Sequence, residues 1–300
     1  MPDHADAALA FGRVLTAMVT PFADSGSVDL DAAQRLATHL VDQGCDGLVV
    51  SGTTGESPTT SPAEQDELLR AVLEAVGERA RVVAGVGSND TAHTVQLAQA
   101  AEQAGAHALL VVTPYYNKPP QEGLVAHFTT VADATELPVM LYDIPGRTAT
   151  AIKAETLHTL ATHPRIVAVK DAKGNLFEGS QVMAESGLAY YSGDDLLNLP
   201  WLALGATGVV SVVAHVAADR YAAMVRSVDA GNIELARKLN MELLPIVAGI
   251  MTRTQGAIAV KAALELTGML ANRTVRLPLV PATDDQVSAI RADLHQIGIL

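Results

Sequence analysis

Three hundred residues with a formal net charge of −13, 49% hydrophobic and 18% charged, exclude a disordered chain and argue against a nucleic-acid binder, which needs basic patches to neutralise phosphates. A single cysteine, Cys45, excludes a disulfide framework, and no apolar stretch has the length of a transmembrane helix. Residues Met1 to Ala10 have no basic run, so they read as a frayed N-terminal extension rather than a signal peptide, and a cytoplasmic location with no membrane partner is expected.

Val14-Leu15-Thr16-Ala17-Met18 is the first short apolar run. Asp29 then precedes Leu30, Ala33, Leu36, Ala37 and Leu40 at helical spacing, and Gly44 stops that helix. Gly47-Leu48-Val49-Val50 is the second run, with Cys45 beside it as a small core residue. Ser61-Pro62 starts the next helix, Glu64 falls in its first turn, and Gly77 ends it. Val82 to Val86 is followed by a helix that Thr91 caps and Gly105 ends. The runs Ala108 to Val112, Val139 to Tyr142, Ile166 to Val169, Ala189 to Tyr191 and Val209 to Val213 complete eight strand candidates, roughly 20 to 36 residues apart. Strands alternating with helices, without hairpin signals, predict an α/β chain closed into a (β/α)8 barrel rather than an open doubly wound sheet. Past Ala217 only helical periodicity remains. The chain is therefore divided into an extension (1–10), the barrel (11–231) and a C-terminal helical domain (232–300).

Active sites of such barrels lie at the C-terminal ends of the strands. Lys170 follows four apolar residues of the sixth run, so its amine should point into the mouth or upper interior of the barrel. Burial favours the neutral amine, the form that attacks a carbonyl. A lone strand-end lysine more often pairs with an acid such as Asp171. Its company changes that balance: Tyr142 ends the preceding strand, about 5 Å away, and Thr54 and Tyr116 offer further hydroxyls for a proton relay. Gly52 and Gly55 flank Thr53 and Thr54 and let backbone N–H groups approach a carboxylate. Gly85-Val86-Gly87 lacks the third glycine of a dinucleotide loop. The nine histidines have no metal-ligand spacing, so no metal site is expected. Asp194-Asp195 reads as helix N-capping rather than a cation site.

Together, Gly52-Thr53-Thr54-Gly55-Glu56-Ser57, Pro114-Tyr115-Tyr116-Asn117-Lys118-Pro119, Tyr142 to Thr148, Lys170 and Gly193-Asp194-Asp195 resemble the dihydrodipicolinate synthase family. The likeness runs from about Phe11 to the C-terminus, through Val260-Lys261-Ala262-Ala263 and Arg276-Leu277-Pro278. The resemblance implies that pyruvate condenses with Lys170 to an imine, loses a proton to give an enamine, and attacks the aldehyde of L-aspartate 4-semialdehyde. Cyclisation to 4-hydroxy-tetrahydrodipicolinate, on the route to diaminopimelate and lysine, would follow. It further implies a relay of Tyr142, Thr54 and Tyr116, the last donated across a subunit interface. Thr53 and Thr54 would hold the pyruvate carboxylate, Arg147 would receive the semialdehyde carboxylate, and the Val210 carbonyl would line the site. A homotetramer without an organic cofactor is implied as well.

Asp143 stands where the family usually has Asn, and its charge near an anion site calls for local compensation. N-acetylneuraminate lyase and the 2-keto-3-deoxy-sugar-acid aldolases share the scaffold, the lysine and the first tyrosine; the Thr-Thr pair with Arg147 favours the synthase branch. A non-catalytic keto-acid-binding barrel is disfavoured by intact Lys170, Tyr142, Thr54 and Tyr116. In lysine-inhibited members a His and a Glu hold the effector. The matching positions here are Gln65 and His93, with Asn89 and Tyr115 kept and Pro58 stiffening the loop, so lysine is expected to inhibit weakly or not at all.

Overall fold

A computed structural model describes residues 4–300. Eight parallel strands close into a barrel in sequence order: β1 Val14–Ala17, β2 Gly47–Val50, β3 Arg81–Gly85, β4 Ala108–Val112, β5 Val139–Asp143, β6 Ile166–Asp171, β7 Ala189–Ser192 and β8 Gly208–Ser211. The last strand pairs back to the first, with Val14 opposite Val209. Leu48, Val50, Val82 and Leu109 face outward against helices, while Leu15, Val49, Val83, Leu110 and Met140 fill the interior. Burial on both faces is why each strand reads as a continuous apolar run.

The helices that cover the barrel begin where the sequence supplies caps. Asp29 accepts from Ala32 N ahead of α2 (Leu30–Asp42), and Ser61 with Glu64 forms a capping box on α3 (Pro62–Val76). Ahead of α4 (Thr91–Ala104) the cap is Asp90, one residue before the expected Thr91. Helices α5 (Gln121–Asp133), α6 (Pro145–Thr148), α7 (Ala154–Leu160), α8 (Leu176–Ser186), α9 (Asn198–Ala203) and α10 (Ala214–Asp229) continue the alternation. Three more, α11 (Ile233–Met251), α12 (Gly256–Leu266) and α13 (Asp284–Gln296), pack beyond the last strand, and α12 is buried from Ala257 to Leu264. Among the described residues no single helix is long and apolar enough to cross a membrane.

One expectation is corrected. The N-terminal segment is not frayed from His4 onward: it forms α1 (His4–Phe11), whose Phe11 meets the Tyr191 ring edge-on at 6.0 Å. Tyr191 Oη donates to Gly12 O at 2.9 Å, and a Cβ at Gly47 would fall 2.3 Å from Phe11 O, so this glycine lets the segment close that end of the barrel. Met1 to Asp3 lie outside the described residues. The expected N-cap after β7 is present: Asp194 caps a short 3₁₀ turn, accepting from Leu196 N, and Asp195 beside it has a further role. It is buried and bridges to β8, accepting from Ser211 Oγ, Val212 N and Val213 N, and those bonds end the strand sooner than the apolar run suggests.

Candidate active site

Lys170 is the fifth residue of β6, 5% exposed, with Tyr142 and Tyr191 as its register partners on either side. Its Nζ stands 3.9 Å from the centroid of the Tyr142 ring. Burial lowers its pKa to about 7, against the nearby charge of Asp195 and with the help of Arg147. A large share of the amine is therefore unprotonated near neutrality, as a nucleophile requires. The side chain runs against Gly193, where a Cβ would lie 2.8 Å from Lys170 Cγ and 3.0 Å from Cε.

Tyr142 is 4% exposed, and burial pushes its phenol up to about 12, partly offset by Arg147 and by a hydrogen bond with the Thr53 side chain. The structure thus brings the Thr53 side chain to the phenol. Thr54 is buried one residue further along, and it does not line the cavity above the barrel. The two hydroxyls are adjacent in sequence and follow a turn that begins at left-handed Ser51 (φ +57). Ser51 itself is buried and lines the cavity, a residue that sequence reasoning passed over because nothing in the sequence marks a left-handed serine.

The cavity encloses about 200 Å³ and is lined by Thr53, Pro58, Tyr115, Tyr142, Ile144 and Arg147, among others. Arg147 is exposed on α6, a one-turn helix that Thr148 secures by donating to Thr150 O at 2.9 Å. A cation at the rim facing a buried amine and phenol suits a substrate with a carboxylate at one end and a carbonyl at the other. Val210 is buried in β8 opposite Leu15 and is not among the cavity-lining residues. Tyr116 is 89% exposed with φ +73, so a single chain does not bring it to Tyr142. Asn117 Nδ2 donates to Asn89 O at 2.8 Å and ties its loop to the one after β3.

Asp143 is compensated. Its carboxylate accepts from Ile152 N and lies 3.5 Å from Lys173 Nζ. Burial still raises its pKa to about 6. Gln65 Nε2 is committed to Ser57 O and Thr60, while His93 is half-buried on α4. Cys45 is buried, with its thiol pushed up to about 12. Among the described residues no cluster of His, Cys, Asp or Glu has the makings of a metal site.

A closed parallel barrel with a desolvated lysine at a strand's C-terminal end, and a phenol against it, defines a class: barrels equipped to bind carbonyl compounds covalently through an amine. Within that class the chain belongs to the dihydrodipicolinate synthetase family, whose family model matches residues 10–297. It is 67% identical over 289 residues to the 4-hydroxy-tetrahydrodipicolinate synthase of Kineococcus radiotolerans, covering 96% of this chain and 94% of the relative. The same-named protein of Mycolicibacterium paratuberculosis is 60% identical, with 98% of each chain covered. Among solved structures, the Cyanidioschyzon merolae enzyme with lysine bound superposes with a TM-score of 0.94 at 42% identity, covering 97% of this chain and 99% of that one.

Proposed function

We propose that the chain is a 4-hydroxy-tetrahydrodipicolinate synthase, a lyase that condenses pyruvate with L-aspartate 4-semialdehyde. The observation that carries this reading is the buried Lys170 amine against the Tyr142 phenol, beneath a cavity rimmed by Arg147. The neutral amine attacks the keto carbon of pyruvate. Tyr142, backed by Thr53, passes a proton to the carbinolamine oxygen, which leaves as water to give the imine. Loss of a methyl proton yields the enamine, whose carbon bonds to the aldehyde carbon of the semialdehyde while the aldehyde oxygen takes a proton. The semialdehyde's amino group then adds to the imine carbon and displaces the Lys170 amine, which closes the ring and frees the enzyme. Backbone N–H groups and hydroxyls of the Thr53-Thr54 loop hold the pyruvate carboxylate, and Arg147 holds the semialdehyde carboxylate. None of these steps calls for an organic cofactor.

Tyr116 completes the relay from a neighbouring subunit of a homotetramer, which accounts for a tyrosine held exposed in a left-handed conformation. Residues 232–300 form the helical domain packed on the barrel, and the enzyme works in the cytoplasm on small-molecule substrates alone. The test of the reaction is consumption of L-aspartate 4-semialdehyde that depends on added pyruvate. Release of pyruvate from N-acetylneuraminate, with no use of the semialdehyde, would overturn the reading. Mixing Tyr116→Phe subunits with Lys170→Ala subunits should regenerate active sites; verified mixed oligomers without activity would place Tyr116 elsewhere.

A further inference from the structure

The loop that presents Thr53 is gripped by a buried ion pair that the reaction itself does not use. Glu56 lies three residues past Thr53, is 3% exposed, and adopts φ +56 without being glycine. Its Oε1 accepts from Lys261 Nζ at 2.6 Å, and its Oε2 accepts from the backbone N–H of Arg276 at 2.9 Å. Lys261, on α12, is 1% exposed, also donates to Thr274 O at 2.8 Å, and stands 4.2 Å from the centroid of the Phe22 ring. Arg276 packs on the same ring at 4.5 Å and donates to Gly26 O, Thr59 O and Glu64.

These contacts converge on the short turn that carries the relay hydroxyl. Glu56 N donates back to Thr53 O at 3.1 Å, and Thr20 Oγ1 donates to Gly55 O at 2.6 Å. A displacement of Glu56 therefore carries Thr53 with it. A left-handed non-glycine residue persists only where its surroundings over-determine it. Removing two charges from water costs much of what their attraction returns, so a pair this deep is poor evidence for a stabilising role and fits better with fixing a geometry.

Resting on the synthase reading above, we infer that Glu56 and Lys261 are positioning residues: their ion pair locks the Thr53-Thr54 loop in the shape that backs Tyr142 and receives the pyruvate carboxylate. The helices beyond the barrel thereby set one wall of its active site.

The test compares Glu56→Gln, a near-isosteric change, with Lys261→Met and with Arg253→Met. The last breaks the Arg253–Asp293 pair between the segment after α11 and α13, which shares no residue with the contacts that hold the loop. The wild type must first turn over both substrates; if it does not, the synthase reading fails and not this one. Given an active wild type, Glu56→Gln and Lys261→Met should each raise the pyruvate KM and lower kcat by about tenfold, with the semialdehyde KM within twofold. Arg253→Met should change none of the three even where it lowers Tm. If Lys261→Met does not fold, Glu56→Gln carries the decision alone. Unchanged pyruvate KM and kcat in Glu56→Gln, or equal loss for both substrates, would overturn the assignment.

Discussion

Two buried tyrosines flank Lys170 on neighbouring strands, and they differ in where their hydroxyls end. Tyr191, on β7, spends its hydroxyl on backbone carbonyls of Ala7 and Gly12 at the closed end of the barrel, and burial raises its pKa far above the ordinary phenol value. Tyr142, on β5, faces the cavity, meets the Thr53 side chain and lies within reach of Arg147's charge. Similar burial yields a structural staple in one case and an acid/base candidate in the other. The neighbours of the hydroxyl decide, not the burial of the ring.

Removing each hydroxyl breaks the comparison in opposite ways. Tyr142→Phe should lower kcat by about 10²–10⁴, the range for a positioned acid/base, with little change in Tm. Tyr191→Phe should leave kcat within about twofold but cost roughly 1–3 kcal/mol of stability, because buried carbonyls lose a donor. A kcat collapse in Tyr191→Phe, read from steady-state rates beside thermal melts, would erase the distinction. Arg147→Ala sharpens the open side of the cavity. Semialdehyde use should fall on the order of tenfold to a hundredfold for a lost carboxylate contact of about 1.5–3 kcal/mol, while pyruvate imine formation persists. Equal losses for the two substrates would make Arg147 a structural residue.

The barrel was legible because parallel strands covered on both faces leave continuous apolar runs, and because caps such as Asp29 and the Ser61/Glu64 box mark helix starts in sequence. Lys170 and Tyr142 were legible for the same reason: a reactive group at the end of such a run has only the barrel mouth to face. The contact of Thr53 with Tyr142 was not legible. The turn that carries Thr53 has left-handed residues at Ser51 and Glu56, and Glu56 is held by Lys261, 205 residues away. The signal in hindsight is Lys261 itself, a lysine inside the apolar run Ala259-Val260-Lys261-Ala262-Ala263. Helix α1 escaped notice because its apolar residues find a partner only in the end of a barrel that forms from the rest of the chain.

Smaller effects follow from the outer face of β5. Burial raises the Asp143 carboxyl to about 6, above its unfolded value, so folding favours the protonated form. The resulting penalty is absent below about pH 3.8 and fully present above about pH 6. Asp143→Asn should therefore gain up to about 3 kcal/mol at pH 8, a net figure that already includes the attraction of Lys173, and almost nothing near pH 4. Melts showing the larger gain at acid pH would contradict this sign. L-lysine should produce the smallest effect of all. With Gln65 bonded to its own loop and His93 in place of a carboxylate, half-inhibition below about 1 mM at subsaturating pyruvate, worth roughly 4 kcal/mol of binding, is not expected. A titration that reached it would reveal another anionic partner for the lysine ammonium.

The most direct measurement is borohydride trapping in the presence of pyruvate, followed by mass mapping of the adduct. A reduced three-carbon adduct should appear on Lys170, vanish in Lys170→Ala, and form at an initial rate that climbs as pH rises through about 7 and then levels off, because the amine is neutral above that value. An adduct on Lys118 or Lys173 instead, or a rate still climbing toward the ordinary lysine value of about 10.4, would contradict the assignment of Lys170 as the desolvated nucleophile.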